Sequence, residues 1–221
     1  MSKSNNVLFM AIIATFIANI SFGQGIPCTD VPTIEYAGKT YNTVQIGTQC
    51  WLKENLDIGN MILVKQNPSN NTTIEKYCYE NKTENCDKYG GLYQWIEAMA
   101  YSTTPGSKGI CPDGFHIPTN AEIEALAKFS VVNNKGNALK AIGQGTGSGV
   151  GTNTTDFSAF LAGYRNYNGT FLNIGTNTYI WSSPDSNTNL AYYMGLNFFD
   201  SNILMSNSLK DYGFSVRCVK D

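Results

Sequence analysis

The chain has 221 residues and a formal net charge of -2, with 14% charged and 42% hydrophobic residues. A balance this close to neutral argues against nucleic acid or an anionic membrane surface as the main partner. Few charges alongside abundant Asn, Thr, Ser, Gly and Tyr instead suit an exported binding surface, where aromatic planes and amides make the contacts.

The N-terminus carries an export pattern. Lys3 supplies a small positive region, Val7 to Ile20 form an apolar run of 14 residues, and small residues lead to a cut after Gly23. The run is short for a membrane span, so residues 1–23 read as a signal peptide rather than an uncleaved anchor. Cys28 follows Gly25-Ile26-Pro27, a poor context for lipidation. The remainder suits one domain, with a short segment 24–32 ahead of residues 33–221. Cys28, Cys50, Cys78, Cys86, Cys111 and Cys218 all lie past the cut. An even count in an exported chain reads as disulfides, and six cysteines allow 15 pairings. A metal site is not expected: there is no Cys-x-x-Cys, and His116 is the only histidine. No cofactor is expected either.

Along the chain, residues 41–46 alternate, with Tyr41, Val44 and Ile46 set against Asn42, Thr43 and Gln45. This predicts a strand, a turn at Gly47 and a second strand entering with Cys50 and Trp51. Residues 57–76 are polar and Asn-rich, a surface loop. Cys78 to Cys86 bound a short loop easily closed by its own ends. Leu92, Trp95, Ile96 and Met99 stand at helical spacing and predict a helix over about 91–101. Thr119 and Glu122 form a capping box that opens a second helix, with Ile123, Leu126 and Ala127 as its apolar stripe. The glycine run 143–152 lacks the Gly-Lys-Ser/Thr ending of a phosphate loop and the spacing of a dinucleotide fingerprint, so it reads as a surface loop. Short strand-like runs follow at 157–165, 179–183, 190–198 and 213–219, separated by Gly, Asn, Ser and Asp turns. The order predicts an α+β domain. In the last run, Phe214, Val216 and Cys218 would share one face, Ser215 and Arg217 the other.

The segments GKTYNTVQIGTQCWLKENL, YGGLYQW, CPDGFHIPTNAEIEAL, FSAFLAGYRNYNGTF, YIWSS and YGFSVRCVKD, in this order, resemble the Fibrobacter succinogenes major paralogous domain, over about residues 33–221. More distantly, HIPTNAEIEAL and GFSVRCV resemble the formylglycine-generating and sulfatase-modifying group. The resemblance implies a C-type-lectin-like α+β fold: two helices packed on a twisted, mostly antiparallel sheet, long irregular loops, and N- and C-terminal strands lying close together. The family has no agreed biochemical activity. The resemblance also implies the disulfides Cys78–Cys86, Cys111–Cys218 and, by remainder, Cys28–Cys50. Closing the long 111–218 loop is worth about 4–5 kcal/mol in the chain-entropy account.

Catalysis is not expected. The sulfatase-modifying relatives use reactive cysteines in the C-terminal half, and this chain has none between Cys111 and Cys218. A nucleophilic triad would need His116, which sits between Phe115 and Ile117 just before a helix cap and reads as a structural histidine. Glu54, Glu97, Asp156 and Asp185 are available carboxylates, but nothing in the sequence pairs them for glycoside hydrolysis. Arg165 and Arg217, the only arginines, offer a fork for a carboxylated ligand, but the expected role is a buried ion pair with Asp or Glu. The expected ligand surface is the irregular stretch 182–212, with Trp181 just before it. Its candidate residues are Trp181, Asp185, Asn187, Tyr192, Tyr193, Asn197, Phe198, Asn202 and Asn207, because rigid Tyr and Phe planes with adaptable Asn amides make good recognition chemistry. In lectin-like relatives this region carries ligand contacts, and some are diversified at Asn codons there. The Glu-Pro-Asn and Gln-Pro-Asp tripeptides of calcium-dependent lectins are absent. The expected function is a secreted or cell-surface binding or adhesion module for a glycan or protein. The alternative is a structural surface protein of a paralogous set, and a degenerate sulfatase-modifying enzyme is third.

Overall fold

The computed structural model describes residues 25–131 and 135–221. The export segment 1–23 lies outside the described residues. Three strands open the fold: β1 (Thr33–Tyr36), β2 (Lys39–Ile46) and β3 (Gln49–Leu52). β1 and β2 pair antiparallel around Ala37-Gly38, both at positive φ (50° and 79°), the twist that a two-residue hairpin demands. The alternation in β2 is real but serves two cores. Val44 and Ile46 face one cluster, which also holds Trp51 and Ile123. Tyr41 faces a second cluster with Leu52, Tyr93 and Trp181. Thr43 is buried beside Tyr41, its hydroxyl donating to Val31 O at 2.6 Å and accepting Cys28 N at 3.1 Å.

The 57–76 stretch is mostly loop, carrying two short strands, β4 (Asn60–Met61) and β5 (Glu75–Lys76), paired in parallel. The Cys78–Cys86 loop closes on itself as a disulfide and contains most of the first helix, α1 (Thr83–Tyr89). The helix expected over 91–101 is only one turn, α2 (Trp95–Ala98). Ahead of it, Leu92 bridges to Tyr77 and Tyr93 to Phe214 in extended backbone. The helical spacing misled because Leu92, Tyr93, Gln94 and Trp95 are all buried. A segment with no solvent face has no polar stripe against which periodicity can be read.

β6 (Phe115–His116) leads into α3 (Asn120–Val131). Its capping box is formed: Thr119 N donates to Glu122 Oε2 at 2.7 Å, and Glu122 N donates to Thr119 Oγ1 at 3.3 Å. A short α4 (Gly136–Leu139) follows, then the glycine loop, which contains one 3-10 turn at Gly147–Gly149. The C-terminal half is β7 (Ala162–Arg165), β8 (Phe171–Ile174), β9 (Asn177–Asp185), β10 (Leu190–Asn197), β11 (Leu204–Leu209) and β12 (Val219–Lys220). The stretch 182–212, expected to be irregular, is therefore largely a three-stranded antiparallel unit, and α3 is the one long helix among the described residues.

Two five-stranded sheets result, ordered β1-β2-β3-β12-β6 and β11-β10-β9-β7-β8. Pairing is antiparallel except between β7 and β9. The C-terminal segment joins the sheets. Gly213, Phe214 and Ser215 bridge to Arg165, Tyr93 and Ile180, and Val219 then pairs with Trp51 and His116. Residues 213–219 are all buried: Phe214, Val216 and Cys218 enter one core cluster together, as the alternation predicts, and Ser215 and Arg217 both meet the Asn55 side chain, so the segment is covered on both sides. Cys111–Cys218 and Cys28–Cys50 complete the disulfides, with Cα–Cα distances of 5.9 and 5.8 Å.

Neither arginine makes the expected ion pair. Arg165 donates to Val64 O from Nε and Nη2, at 2.9 and 2.6 Å, and to Asp211 O from Nη1, and lies over the Tyr77 ring. Arg217 donates to Asn55 Oδ1 from Nε and Nη2, at 3.1 and 2.9 Å, and to Phe157 O. The wide fork of a guanidinium can gather neutral carbonyls from separate loops, and here it does so in place of a carboxylate.

Candidate binding surface

The nine residues expected to form a site do not form one. Trp181 is 0% exposed, stacks on Phe214 at 4.3 Å and donates its indole N–H to Tyr93 O at 2.8 Å; it is core. Asp185 is paired with Lys210 at 2.7 Å. Asn187 caps its own turn, its Oδ1 accepting the N–H groups of Asn189 and Leu190. Asn197 does the same for Phe199 and Asp200, and Phe198 packs on the core cluster that holds Val44 and Ile46. Asn202 and Asn207 are exposed. Tyr192 and Tyr193 point to opposite faces of β10, so only Tyr193 joins an aromatic cluster.

Lys140 ties the 197–202 turn to the glycine loop. Its ammonium is buried and donates to three carbonyls, those of Gly149, Asn197 and Asp200. Burial lowers its pKa, partly offset by Asp200. The turn and the glycine loop are thus held against each other around one cation.

The surface that does assemble lies across the second sheet. Cross-strand register aligns Leu172 of β8 with Tyr164 of β7, and Tyr179 of β9 with Gly195 of β10 and Leu204 of β11. β7 and β9 run side by side, and the Tyr164 and Tyr179 rings meet edge to face at 5.3 Å. Tyr179 meets Tyr193 in the same way at 5.2 Å. Tyr212 tilts against Tyr164 at 5.8 Å, and Tyr167 stands edge-on to Tyr212 at 5.7 Å. Gly195 leaves room for the Tyr179 ring, since a Cβ there would sit 3.1 Å from it, a tight contact. Phe214 underlies Tyr164, Tyr179, Tyr193 and Tyr212, so the row rests on the buried tail.

This row is half-buried at its centre and open at its ends, where Tyr167, Leu204 and Leu172 are 56%, 49% and 37% exposed. Burial, reinforced by neighbouring tyrosines, raises the pKa of the Tyr164, Tyr179 and Tyr212 hydroxyls, which therefore stay protonated. Five tyrosine rings give a surface that packs apolar area and also offers hydroxyls for hydrogen bonds. Of the expected residues only Tyr193 belongs to it. Tyr164 and Tyr179 were visible in strand-like runs, but the row exists only through a register linking positions up to 40 residues apart, Tyr164 to Leu204.

The groups weighed for catalysis each have at least one partner in the fold, while Glu97 Oε2 is buried without one among the described residues. His116 bonds Glu122 Oε1 through Nε2 at 2.9 Å and Asp221 Oδ1 through Nδ1 at 2.7 Å, as a hydrogen-bonded structural histidine should. Glu54 accepts from Asn42 N and Nδ2, Glu97 from Glu75 N, and Asp156 pairs with Lys53. Among the described residues no group of three or more His, Cys, Asp and Glu side chains is placed to hold a metal ion, and no helix is long and apolar enough to cross a membrane.

No curated protein and no solved structure matches the chain. The family profile of the Fibrobacter succinogenes major domain matches residues 44–220, from the last residues of β2 to the end of β12, and so takes in the second sheet, most strands of the first, the capped helix and the tyrosine row. The chain belongs to the Fibrobacter succinogenes major domain family.

Proposed function

We propose that this protein is an exported, non-catalytic binding or adhesion module of C-type-lectin-like architecture, and that its ligand, a glycan or a protein, lies across the tyrosine row. The observation that carries the reading is the row itself: five tyrosines from β7, β9, β10 and two connecting segments, locked edge to face on one sheet surface. Rings held this way lose little entropy on binding and offer their exposed ring surface and hydroxyls to a partner. Three disulfides support an oxidising destination, at the cell surface or outside the cell. The proposed contact surface is thus a sheet face, not the turns of 182–212.

The test uses the open ends of the row, which support no core. The disulfide-intact chain is screened on a glycan array and against immobilised envelope proteins, beside a Tyr167→Ser, Leu172→Ser, Leu204→Ser variant and an Asn187→Ala, Asn202→Ala, Asn207→Ala variant. The first variant loses at least tenfold in affinity and the second binds like the parent. Envelope association untouched by the first variant contradicts the reading and favours a structural surface protein.

A further inference from the structure

A second concave surface lies where the β2–β3 hairpin, the end of α1 and the loop before β7 converge. It is a cleft of about 460 Å³, within the range of small-ligand sites, with Arg217 and Asn55 at its floor and Tyr89 and Phe160 in its wall. It shares no residue with the tyrosine row.

Its charges are unevenly matched. Asp57 is held by Lys39 and Lys76, and Lys53 by Asp156. Asp87 lies 3.4 Å from Lys39. Glu54, the remaining carboxylate of the lining, is turned onto Asn42, whose N and Nδ2 each donate to it at 2.8 Å. Two cations are left over. Arg217 is 1% exposed, and among the described residues no carboxylate lies within ion-pair distance of it; its bonds go to the neutral oxygens of Asn55 and Phe157. Lys88 also lacks a carboxylate at that distance, and its ammonium sits 4.9 Å above the Tyr89 ring. A buried cation without a counter-ion is costly, and an incoming carboxylate removes that cost. Burial alone draws the Arg217 pKa down to about 9, against a small opposing effect of Glu54.

The walls are built and rigid. Cys78–Cys86 anchors α1, whose last residues are Lys88 and Tyr89. Gly90 closes the corner, because a Cβ there would lie 2.5 Å from that of Asn55. Opposite, Asn153, Asp156 and Ser158 all hold left-handed φ of 50°, 57° and 57°, a conformation unfavourable for side-chain-bearing residues that is kept where surrounding structure imposes it. Asn153 Oδ1 imposes it by accepting Ser158 N at 2.9 Å. Tyr89 and Phe160 stand edge to face at 6.0 Å, half-buried, offering a ring surface beside the cations.

Aromatic wall, leftover cations and rim carboxylates able to accept from hydroxyls together define one ligand chemistry. We infer that this cleft binds an acidic saccharide, the ring packing on Tyr89 and Phe160, the carboxylate facing Arg217 and Lys88, and the hydroxyls meeting Asp87. The inference does not depend on the tyrosine row, and the row variant above leaves the cleft whole.

The probes are galacturonic acid, galactose as its uncharged counterpart, and inorganic phosphate, titrated into the disulfide-intact chain by calorimetry and ligand-observed NMR. Galacturonic acid binds with millimolar affinity or better, and galactose and phosphate bind at least tenfold more weakly. Lys88→Ala and Phe160→Ser, both at the cleft rim, each weaken galacturonic acid about fivefold or more without changing the far-ultraviolet spectrum. Equal binding of galactose, equal binding of phosphate, or no galacturonic acid binding at about 10 mM overturns the inference. So does unchanged affinity in both variants.

Discussion

At the scale of single residues, the protein satisfies its buried cations with carbonyl oxygens. Arg165, Arg217 and Lys140 each draw two or more loop segments together in this way. Such bonds are charge-assisted and strong, but removing the cation leaves several carbonyls buried without a donor. Lys140→Met keeps the side chain's bulk and strips the donors from the carbonyls of Gly149, Asn197 and Asp200. Its expected cost is on the order of 3 kcal/mol, from about 1–3 kcal/mol per unsatisfied buried group with partial rescue by water. Denaturant unfolding checks it, and a cost below about 1 kcal/mol contradicts the cage. None of this was readable beforehand, since a lysine in ALKAIG looks like any surface lysine. Trp181 shows the converse error: beside a polar stretch it resembled a ligand contact, whereas its indole N–H had already found Tyr93 O in the core.

At the scale of elements, legibility followed local chemistry. The capping box before α3 was plain because both of its hydrogen bonds lie within three residues. β11 was missed because it is an edge strand with alternating Ser and Asn and no fully buried side chain. The 91–101 helix was over-read because a fully buried segment gives no periodic contrast. His116 ties the cap of α3 to the chain end, and this link titrates. The His116 pKa is raised by Glu122, against burial, with further support from Asp221. Its stabilising effect is complete below about pH 6.5, the unfolded value, and fades as pH rises through the higher folded value. For Glu122, burial acts to raise the pKa but is outweighed by His116 and Thr119, which lower it. That contribution is complete above about pH 4.5 and fades as pH falls through the lower folded value. The difference in Tm between the parent and His116→Gln is therefore largest between about pH 4.5 and 6.5 and shrinks on either side. A difference that grows steadily up to pH 9 contradicts this linkage.

At the scale of the whole molecule, residues 213–219 hold two sheets together, and Cys111–Cys218 secures that segment. The cysteine pairings were legible through the family resemblance alone; counting left 15 possibilities. In the chain-entropy account, opening a link across 107 residues costs about 5 kcal/mol, and one across 8 residues about 2.5 kcal/mol. The Cys111→Ala, Cys218→Ala pair is thus expected to destabilise the fold about twice as much as Cys78→Ala, Cys86→Ala. Equal losses contradict a tail that carries both sheets. The binding surface itself was beyond the sequence, because period-two alternation says which residues share a face of one strand, not which faces a register will align.

The central claim is that ligand lies on the tyrosine row. Hydroxyl-radical footprinting of the disulfide-intact chain, with and without the ligand returned by the array or envelope screen, tests it most directly. Protection is expected at Tyr164, Tyr167, Tyr179 and Tyr212, with Tyr192 unchanged. Protection confined to the turns at 186–189 and 198–203, with those four tyrosines as reactive as before, contradicts it.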